Sequence, residues 1–528
     1  MERNLNNELF AFSDYALEFK LCFNPAKSIV TFFTTNKRLY NYQPNIKMDN
    51  KNLAYEKHPT YLGYVSDPEW TSNKHIEHIV SKCRKRLNLL KYIAGKDWGA
   101  DAVTLRDTYL SLIRPILEYG FPVYSCASAT NLDKLERVQL SAARIITGLK
   151  RSCPKEIVLF EADLQPLQTR RKANLTNYFK LSRYGQHNRI SLYLNNWRNN
   201  QRLKKNSPFS HVELLHLPSE DVEPHSLKSY LNPSEGIPRV HFHFDFSAPV
   251  TKKDLIPAEL RQLALEILGE IPSDAVKIYT DGSGLGNLAG SGVFIEISEQ
   301  NYSICLRMPD FTSVFRSELT AIEQGIDAII NESDFGDFWI LSDSCSSLQH
   351  LHNWTKVGDK TSISILLKLQ LISKHHDVHL QWIPSHVDIF GNEQADRLAK
   401  EGCSHLTSSS SALTFSEYQS KIKSHLSKKW RIPPSHHWYA AKEPGSSLVH
   451  TGERASQTAI SRLTSGHTNS LSYFKGRKTY AVCSKCEAQQ ASAEHYLDCL
   501  GLSKEDLYAS PLLVIDFLRV NNKLLDLV

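Results

Sequence analysis

Residues 276–400 hold a series of short apolar runs and helical patterns, several of which end at an acidic residue, and this series most constrains the fold. Apolar runs of this length that stop at turn residues are typical of buried strands, whereas apolar residues at three- and four-residue spacing are typical of helices. The alternation predicts an α/β domain. The predicted strands cover 276–280 (ending at Asp281), 292–297, 302–308, 338–341 and 378–383, and the predicted helices cover 313–330, 363–375 and about 392–400.

Four acids fall at positions of this pattern that suit a shared site. Asp281 and Asp343 are expected at the carboxyl ends of buried strands, where open α/β sheets place their chemistry. Glu318 lies at the edge of the buried face of its helix, and Asp396 lies in the first turns of the last helix. Converging carboxylates repel one another unless a cation holds them, and oxygen ligands suit Mg²⁺ or Mn²⁺. Two such ions about 3.5–4 Å apart can stabilise both reacting oxygens of a phosphodiester.

His386 precedes the last helix and could move a proton in such a site. The alternative is four unrelated surface acids, because acids at strand ends are common. That alternative would be favoured for each acid alone, but the ordered set favours a site.

The motifs Asp281-Gly282-Ser283, Ser317-Glu318-Leu319, Ser342-Asp343-Ser344 and the run over 382–400 resemble a type 1 ribonuclease H, over about a quarter of the chain. The resemblance implies a mixed five-stranded sheet with helices, two Mg²⁺ (or Mn²⁺) ions and hydrolysis of the RNA strand of an RNA–DNA hybrid. It implies that the metal ligands are Asp281, Glu318, Asp343 and Asp396. It also implies that His386 is a mobile-loop histidine and that nucleic acid is contacted by Gly282, Ser283, Ser317 and Asn392.

Two features depart from that family pattern. Asp388 occupies a position that is usually glycine or another small residue. Residues 355–362 are too few for the basic helix with which some family members hold the hybrid. The grip on a substrate is therefore expected from other parts of the chain.

Composition restricts the class of protein. A chain of 528 residues is expected to hold two to four domains. No apolar run reaches the ~18 residues of a membrane span, and residues 1–14 lack the apolar core of a secretion signal. Ten scattered cysteines suit a reducing compartment. The sequence therefore indicates a cytoplasmic or nuclear protein that is not secreted.

Charge is distributed unevenly along the chain. Residues 1–200 carry 30 Lys and Arg against 18 Asp and Glu, whereas residues 251–400 carry 12 against 21. Residues 401–500 carry 12 against 7. An acidic core repels a phosphate backbone, so metal ions and the basic flanks would have to supply the attraction. Solvated basic faces without a partner remain the alternative for each flank.

The first 186 residues are predicted to be mostly helical, with strands over 21–25, 29–33 and 60–65 and helices over 75–93, 105–119 and 132–146. This region resembles the thumb of a non-LTR (jockey-like) retrotransposon reverse transcriptase. The matching stretches are residues 23–27, 61–63, 70–79, 116–124 and 135–148. Polymerisation needs paired aspartates, and the chain contains no Asp-Asp dipeptide. The resemblance therefore implies a truncated element that retains the thumb and lacks the polymerase site.

Residues 187–270 are predicted to be a linker region with a short strand around 241–244 and a helix over 252–268, and 408–411 to be a serine linker. Residues 405–528 are predicted to be a basic region with helices over 415–430 and 512–528. The spacing of Cys483, Cys486, His495 and Cys499 matches a tetrahedral zinc site. A small loop of reduced cysteines is the alternative. A similar Cys/His segment follows the ribonuclease H domain in the retrotransposons that the chain resembles.

The predicted domains are therefore a thumb remnant (1–186), the linker region (187–270), the ribonuclease H domain (271–404) and the Cys/His region (405–528). The leading hypothesis is a metal-dependent endoribonuclease acting on RNA–DNA hybrid, with other retroelement proteins as candidate partners. The alternative is a catalytically inactive nucleic-acid-binding remnant, against which the intact set of four acids argues.

Overall fold

The computed structural model describes residues 1–34, 36–95, 99–182, 222–223, 231–232, 234–246, 255–297, 300–330, 336–406, 412–450, 452–475, 477–521 and 528. The chain divides into two compact units. Among the described residues, the first comprises those in 1–178 and 425–528, and the second comprises those in 179–182 and 222–424. No helix in the described part of the chain is long and apolar enough to cross a membrane.

The first unit begins with helix α1 (Glu2–Glu18), a 3-10 turn and three pairs of short strands; the strands are β1 (Ile29–Val30), β2 (Lys47–Met48), β3 (Lys51–Asn52), β4 (Ala54–Tyr55), β5 (Thr60–Tyr61) and β6 (Tyr64–Val65). The helices that follow are α2 (Asn73–Ala94), α3 (Ala102–Leu112), α4 (Arg114–Glu118), α5 (Phe121–Tyr124), α6 (Ala129–Thr147), α7 (Lys155–Glu161) and α8 (Leu167–Ser182). The predominantly helical character predicted for this region is thus observed.

Three details of this region were predicted wrongly. Residues 21–25 form no strand, and helix α1 was not foreseen because its apolar residues Phe10, Phe12 and Leu17 lie exposed rather than on a buried stripe. The single helix predicted over 105–119 is interrupted between α3 and α4. Pro115 explains the break, because its ring displaces the carbonyl of the residue four positions earlier.

The sheet of the second unit has six strands: β7 (Val240–His243), β8 (Val276–Leu285), β9 (Leu288–Ile297), β10 (Gln300–Arg307), β11 (Phe338–Ser342) and β12 (Val378–Trp382). Their order is β10-β9-β8-β11-β12-β7. Strands β8, β9 and β10 form an antiparallel meander, and β8, β11, β12 and β7 are parallel. The predicted mixed sheet with helices is confirmed, and β7 adds a sixth strand to the expected five.

Helices cover both faces of this sheet; they are α9 (Pro257–Glu270), α10 (Val314–Ile329), α11 (Cys345–His352), α12 (Lys360–Ile372) and α13 (Phe390–Ser404). Alternate residues of each strand face opposite sides. Phe338 and Ile340 of β11 therefore pack into a core with α10 and α12, whereas Leu341 packs into a second core with α9 and α13. The central strand β11 is thus buried on both faces, and its sequence is a nearly continuous apolar run.

The chain continues with α14 (Phe415–Trp430), which was predicted over the same residues. The remaining elements are α15 (Ser446–Val449), α16 (Arg454–Ser465), β13 (Leu471–Phe474), β14 (Arg477–Tyr480), α17 (Ala493–Leu500), α18 (Lys504–Ala509) and α19 (Pro511–Val520). The closing helix predicted over 512–528 ends at Val520 instead, and residues 522–527 lie outside the described ranges. The predicted serine linker and most of 187–270 also lie outside them.

Within the first unit, α16 packs on the end of α6. The Arg462 guanidinium donates to the Gly148 carbonyl at 3.1 Å, and Arg454 donates to the carbonyl of Ile145. Both carbonyls belong to the last turn of α6 or follow it, where helix carbonyls lack intrahelical partners. The C-terminal part of the chain therefore stabilises the end of an N-terminal helix.

Candidate active site

Three carboxylates converge beside the centre of the six-stranded sheet. Asp281 belongs to β8, Glu318 to α10, and Asp343 follows the last residue of β11. One carboxylate oxygen from each lies within 4.8 Å of the others. Thr280 and Ser342 are register partners, so the next residues on these parallel strands are Asp281 and Asp343. The pairing of β8 with β11 thus places two of the acids side by side.

One detail of the prediction for Asp281 was wrong. Strand β8 does not stop there but continues to Leu285, because Asp281 and the residues after it pair with β9. Asp281 opposes Gly292 in that hairpin. The acid therefore sits within a hydrogen-bonded ladder, which holds its backbone more firmly than a loop would.

Glu318 is brought to the two aspartates by close contact between α10 and β8. A Cβ atom on Gly282 would lie only 2.5 Å from the Glu318 nitrogen, so glycine is required at this crossing. The Ser291 hydroxyl on β9 donates to the Ser317 carbonyl at 2.7 Å and fixes the helix against the sheet. The glutamate is consequently buried, with 6% of its surface exposed.

Asp396 lies on α13 and stands apart from the three-acid group. Its oxygen clusters within 4.8 Å of ligand atoms from His386 and Glu393, and Lys400 donates to it at 2.6 Å. Helix α13 approaches β9 closely because Gly290 and Gly292 leave room for its backbone. The predicted set of four acids is therefore arranged as three convergent carboxylates and a neighbouring fourth.

The electrostatics of the three-acid group favour a bound cation. Burial, followed by repulsion from Asp343 and Asp396, raises the pKa of Asp281 to about 7. Burial and the nearby Asp281 and Asp343 raise the pKa of Glu318 well above its ordinary range. Oxygen Oε2 of Glu318 is buried without a hydrogen-bond partner in the described part of the chain. A buried acceptor among like charges is costly unless a cation meets it, so these residues fit a hard divalent ion.

His386 lies exposed on the segment between β12 and α13, beside Asp396 and Glu393. Its φ of 56° and the φ of 57° at Asp388 fall in the left-handed region. Glycine adopts this region at little cost, which gives a physical reason for the small residue expected at position 388. Aspartate is one of the few other residues that tolerate it.

Comparison with known proteins agrees with this geometry. The family model described as RNase H matches residues 273–404. Residues 273–404 form a ribonuclease H domain. The chain is 39% identical over 149 residues to "Ribonuclease H" from Schizosaccharomyces pombe, a match that covers 25% of this chain and 54% of that protein.

Two further relatives indicate the range of similar proteins. "Ribonuclease H" from Yersinia enterocolitica is 28% identical over 144 residues, which is 25% of this chain and 92% of that protein. "Probable RNA-directed DNA polymerase from transposon BS" from Drosophila melanogaster is 25% identical over 152 residues, which is 29% of this chain and 16% of that protein. The chain thus spans about half the length of the fission-yeast relative and much less of the Drosophila one.

The residues predicted to contact nucleic acid have different environments in the ribonuclease H domain. Gly282, Ser317 and Asn392 are buried, whereas Ser283 is partly exposed. Gly282 and Ser317 serve the contact between β8, β9 and α10 described above. Direct contact of these residues with a substrate stays a prediction.

An ion-pair network at the start of α10 was missed by the sequence analysis. The Arg316 guanidinium is 3.0 Å from a Glu417 oxygen and also pairs with Glu223. Glu417 accepts from the backbone N–H of Ser313, the N-cap of α10, at 2.8 Å. Segments before and after the ribonuclease H domain thus hold the helix that carries Glu318. The sequence signal was weak, because each partner is a single charge more than 90 residues away.

Cys483, Cys486, His495 and Cys499 form a second cluster, in the first unit. One ligand atom from each lies within 4.8 Å of the others, as the spacing predicted. The Cys486 sulfur is 3.3 Å from Nε2 of His495. Hydrogen bonds from the backbone of Ala488 and Gln489 lower the pKa of Cys486 to about 6, so its thiolate is readily available. A soft donor set of this kind fits Zn²⁺.

Proposed function

We propose that this chain is an endoribonuclease that hydrolyses the RNA strand of RNA–DNA hybrids. The observation that carries the proposal is the convergence of Asp281, Glu318 and Asp343 within 4.8 Å in a ribonuclease H domain. Buried carboxylates with raised pKa values are costly to a fold that makes no use of them. Their arrangement is suited to phosphodiester hydrolysis with bound divalent ions.

Asp281, Glu318 and Asp343 would hold one ion, and Asp396 would complete the ligands for a second. Two Mg²⁺ or Mn²⁺ ions at these residues would supply an activated water and charge stabilisation at the leaving oxygen. Hydrolysis of this type would leave a 3′-hydroxyl and a 5′-phosphate. The protein contributes the fixed positions of the four carboxylates.

Other side chains assist in the proposed reaction. Lys400 donates to the Asp396 carboxylate at 2.6 Å, and this hydrogen bond fixes the orientation of that ligand. His386 is exposed beside Asp396 and can exchange a proton with solvent or with the departing product. The left-handed backbone conformation of His386 determines the direction that the loop takes at this residue.

The substrate class follows from the chemistry of the RNA strand. A 2′-hydroxyl is both donor and acceptor and distinguishes RNA from DNA. Ser283, the partly exposed member of the predicted contacts, could read such a group, whereas Gly282, Ser317 and Asn392 would act by shaping the surface. The acidic domain requires its metal ions and basic neighbouring segments to attract a polyanion.

We infer the same organisation as in the sequence analysis for the rest of the chain. Residues 1–186 would derive from a reverse transcriptase thumb, 187–270 would be the linker region, 271–404 the ribonuclease H domain, and 405–528 the Cys/His region. Similarity to RNA-directed DNA polymerases of Drosophila mobile elements supports a retroelement origin. Other retroelement proteins are the proposed partners, in the cytoplasm or the nucleus.

The Cys/His cluster is proposed to hold a structural zinc ion. Four potential ligands exhaust a tetrahedral coordination shell and leave no open position for a substrate. Cys483 is buried against the apolar core of the C-terminal region. The ion would therefore stabilise the fold rather than take part in RNA cleavage.

The proposal is tested with an RNA strand labelled at its 5′ end and offered in an RNA–DNA hybrid, an RNA duplex and as a single strand, with Mg²⁺. We expect cleavage only in the hybrid, and none by Asp343→Asn. Cleavage by that variant at the rate of the unmodified chain would contradict the proposed site. Hybrid binding without cleavage by either protein would favour the inactive nucleic-acid-binding remnant.

A further inference from the structure

The two-stranded ribbon formed by β13 and β14 carries exposed aromatic rings and cations that no role described above uses. Tyr473 is 50% exposed and Phe474 is 66% exposed. Tyr473 is the register partner of Lys478, and Phe474 is the register partner of Arg477. Each ring is therefore paired across the ribbon with a cation, on opposite faces.

The root of the ribbon is fixed in the C-terminal region. Leu471 is buried, and the Ser470 hydroxyl donates to the Ala491 carbonyl at 2.6 Å. Ala481 donates its backbone N–H to the Ser470 carbonyl, and Ala491 donates to the Ala481 carbonyl. The Cys/His cluster begins two residues after Ala481. The exposed rings are thus presented by a rigid base, so little ordering would be needed when they bind.

The charged side chains of the ribbon and of its flanking residues, 466–486, are of one sign. Residues 466–486 contain Lys475, Arg477, Lys478 and Lys485 and no Asp or Glu. The Nζ atom of Lys475 lies 5.4 Å from the centre of the Phe474 ring. Burial, followed by the proximity of Lys478 and of two other histidines, lowers the pKa of His467 to about 4.

Exposed rings interleaved with cations match the requirements of one class of ligand. A single-stranded nucleic acid offers unpaired bases that stack on aromatic side chains and phosphates that pair with cations. A protein partner would make less use of so many cations, because interface cores are depleted of lysine. A regular duplex keeps its bases stacked internally and would leave the rings without partners.

We propose that this ribbon binds single-stranded RNA or DNA, with bases stacked on Tyr473 and Phe474 and phosphates at Lys475, Arg477 and Lys478. The site is separate from the ribonuclease H chemistry, and it does not depend on the proposed cleavage. Its function would be to hold an unpaired strand through contacts that are independent of sequence, since every base has a ring face.

The test measures binding of fluorescent single strands of about 20 nucleotides, longer than one site of ~4–16 nucleotides, by the full chain without added Mg²⁺. RNA and DNA versions identify which source of strand is preferred, and a duplex of the same length is compared. The aromatic variant is Tyr473→Ala with Phe474→Ala. The cation variant replaces Lys475, Arg477 and Lys478 with Gln.

The aromatic variant is expected to bind single strands about tenfold or more weakly, with an unchanged salt slope. The cation variant is expected to lower the slope of log affinity against log salt by about 2, from three phosphate contacts at ~0.7 each. A matched control is Arg3→Gln with Phe12→Ala on helix α1, where an exposed cation and ring lie among acidic residues. The control should bind like the unmodified chain.

Three results would overturn the proposal. One is unchanged single-strand binding in both ribbon variants. Another is tighter binding of the duplex than of either single strand. The third is loss of self-association in the aromatic variant, measured by sedimentation, with single-strand binding intact. Because the substituted side chains are exposed, thermal unfolding and zinc content should match the unmodified chain and exclude misfolding as the cause of a loss.

Discussion

Two clusters of this chain, the three acids and the Cys/His cluster, each bring their ligand atoms within 4.8 Å of one another, but different parts of the fold assemble them. Asp281, Glu318 and Asp343 are at least 25 positions apart in the sequence, and they lie in strand β8, in helix α10 and directly after strand β11. The Cys/His cluster comes from one stretch of 17 residues, 483–499. The acid cluster depends on the packing of elements that are far apart in the sequence, whereas the Cys/His cluster is formed by one loop and the helix that follows it.

The clusters also differ in chemistry and in how they are held. Two of the three acids are buried, and their pKa values are raised by burial and mutual repulsion. Cys486 is exposed, and its pKa is lowered by hydrogen bonds from the backbone. The ribonuclease H site therefore needs a hard cation to relieve repulsion, whereas Cys486 offers a thiolate to a soft ion. The comparison teaches that ligand atoms within the same 4.8 Å can suit two different kinds of ion, one for the proposed catalysis and one for the proposed structural role.

The largest expected effect is on catalysis, when one acid is neutralised. Asp281→Asn should lower the rate of hybrid cleavage at least about a thousandfold, or ~4 kcal/mol of transition-state stabilisation, because a ligand of the proposed ions is lost. The rate is measured on labelled hybrid under single-turnover conditions. Asp388→Asn removes an exposed carboxylate on the neighbouring loop and should leave the rate within about twofold. Equal losses in both variants would mean that net charge, not the cluster, controls cleavage.

Removal of the zinc ion proposed for the Cys/His cluster should lower the stability of the first unit and leave RNA cleavage unchanged. Cys486→Ser should cost the first unit at least ~3 kcal/mol, which lowers its thermal midpoint by roughly 6–12 °C. Cys22→Ser, at an exposed cysteine outside the cluster, should change the midpoint by less than about 2 °C. Calorimetry and zinc analysis check both variants. An unchanged midpoint with no bound zinc in the unmodified chain would make the cluster a loop of reduced cysteines.

A smaller effect is expected where a glycine lets the ribonuclease H site assemble. Gly282→Ala places a Cβ atom about 2.5 Å from the Glu318 nitrogen, so α10 must move away from β8. We expect a destabilisation of ~1–3 kcal/mol and a loss of cleavage of roughly a hundredfold. Gly269→Ala is the control, because nothing lies within 4 Å of its Cβ position in helix α9. That control should stabilise the chain by up to about 1 kcal/mol. Full activity of Gly282→Ala would show that the contact does not position Glu318.

The raised pKa of Asp281 predicts a pH dependence for the protein without added Mg²⁺. The folded-state pKa is about 7, against an ordinary value of 3.8. The contribution of Asp281 to the free energy of unfolding is therefore fully present below about pH 4, and it is lost as the pH rises through 7. The urea concentration at the unfolding midpoint should decrease as the pH is raised from 5 to 8. Added Mg²⁺ should restore it at pH 8. Asp281→Asn should show a flatter profile, and an equally steep one would assign the dependence to other groups.

The smallest expected effect concerns the loop before α13. Asp388 adopts a φ of 57°, so Asp388→Gly should relieve strain and stabilise the second unit by about 0.5 kcal/mol. Asp388→Ala keeps the strain and should stabilise nothing. Chemical denaturation distinguishes the two variants. Stabilisation by alanine as large as by glycine would show that charge, not backbone conformation, limits stability at this position.

Much of the ribonuclease H domain could be predicted because its signals are local. The apolar run before Asp281 and the three- and four-residue spacing around Glu318 predicted β8 and α10 directly. The extension of β8 past Asp281 could not be read, because Gly282, Ser283 and Gly284 resemble a turn until their pairing with β9 is known. Glycines that end strands and glycines that admit a helix look alike in a sequence.

Contacts between residues that are far apart in the sequence could not be predicted from the sequence. Strand β7 joins the sheet edge through pairing with β12, more than 130 residues later, and its four residues carried too short a pattern to reveal a partner. The Arg316 network depends on Glu223 and Glu417 for the same reason. The Cys/His spacing, in contrast, predicted its own cluster, because all four ligands lie in one short stretch.

The most direct measurement is the rate of RNA-strand cleavage in a hybrid as Mg²⁺ is increased from zero, for the unmodified chain and for Glu318→Gln. The substitution keeps the size of a side chain whose oxygen is buried beside Asp281 and Asp343. The proposed site predicts that cleavage by the unmodified chain rises with Mg²⁺ and that Glu318→Gln, folded to the same degree, cleaves at no Mg²⁺ concentration. Cleavage by Glu318→Gln with the unmodified dependence on Mg²⁺ would contradict it.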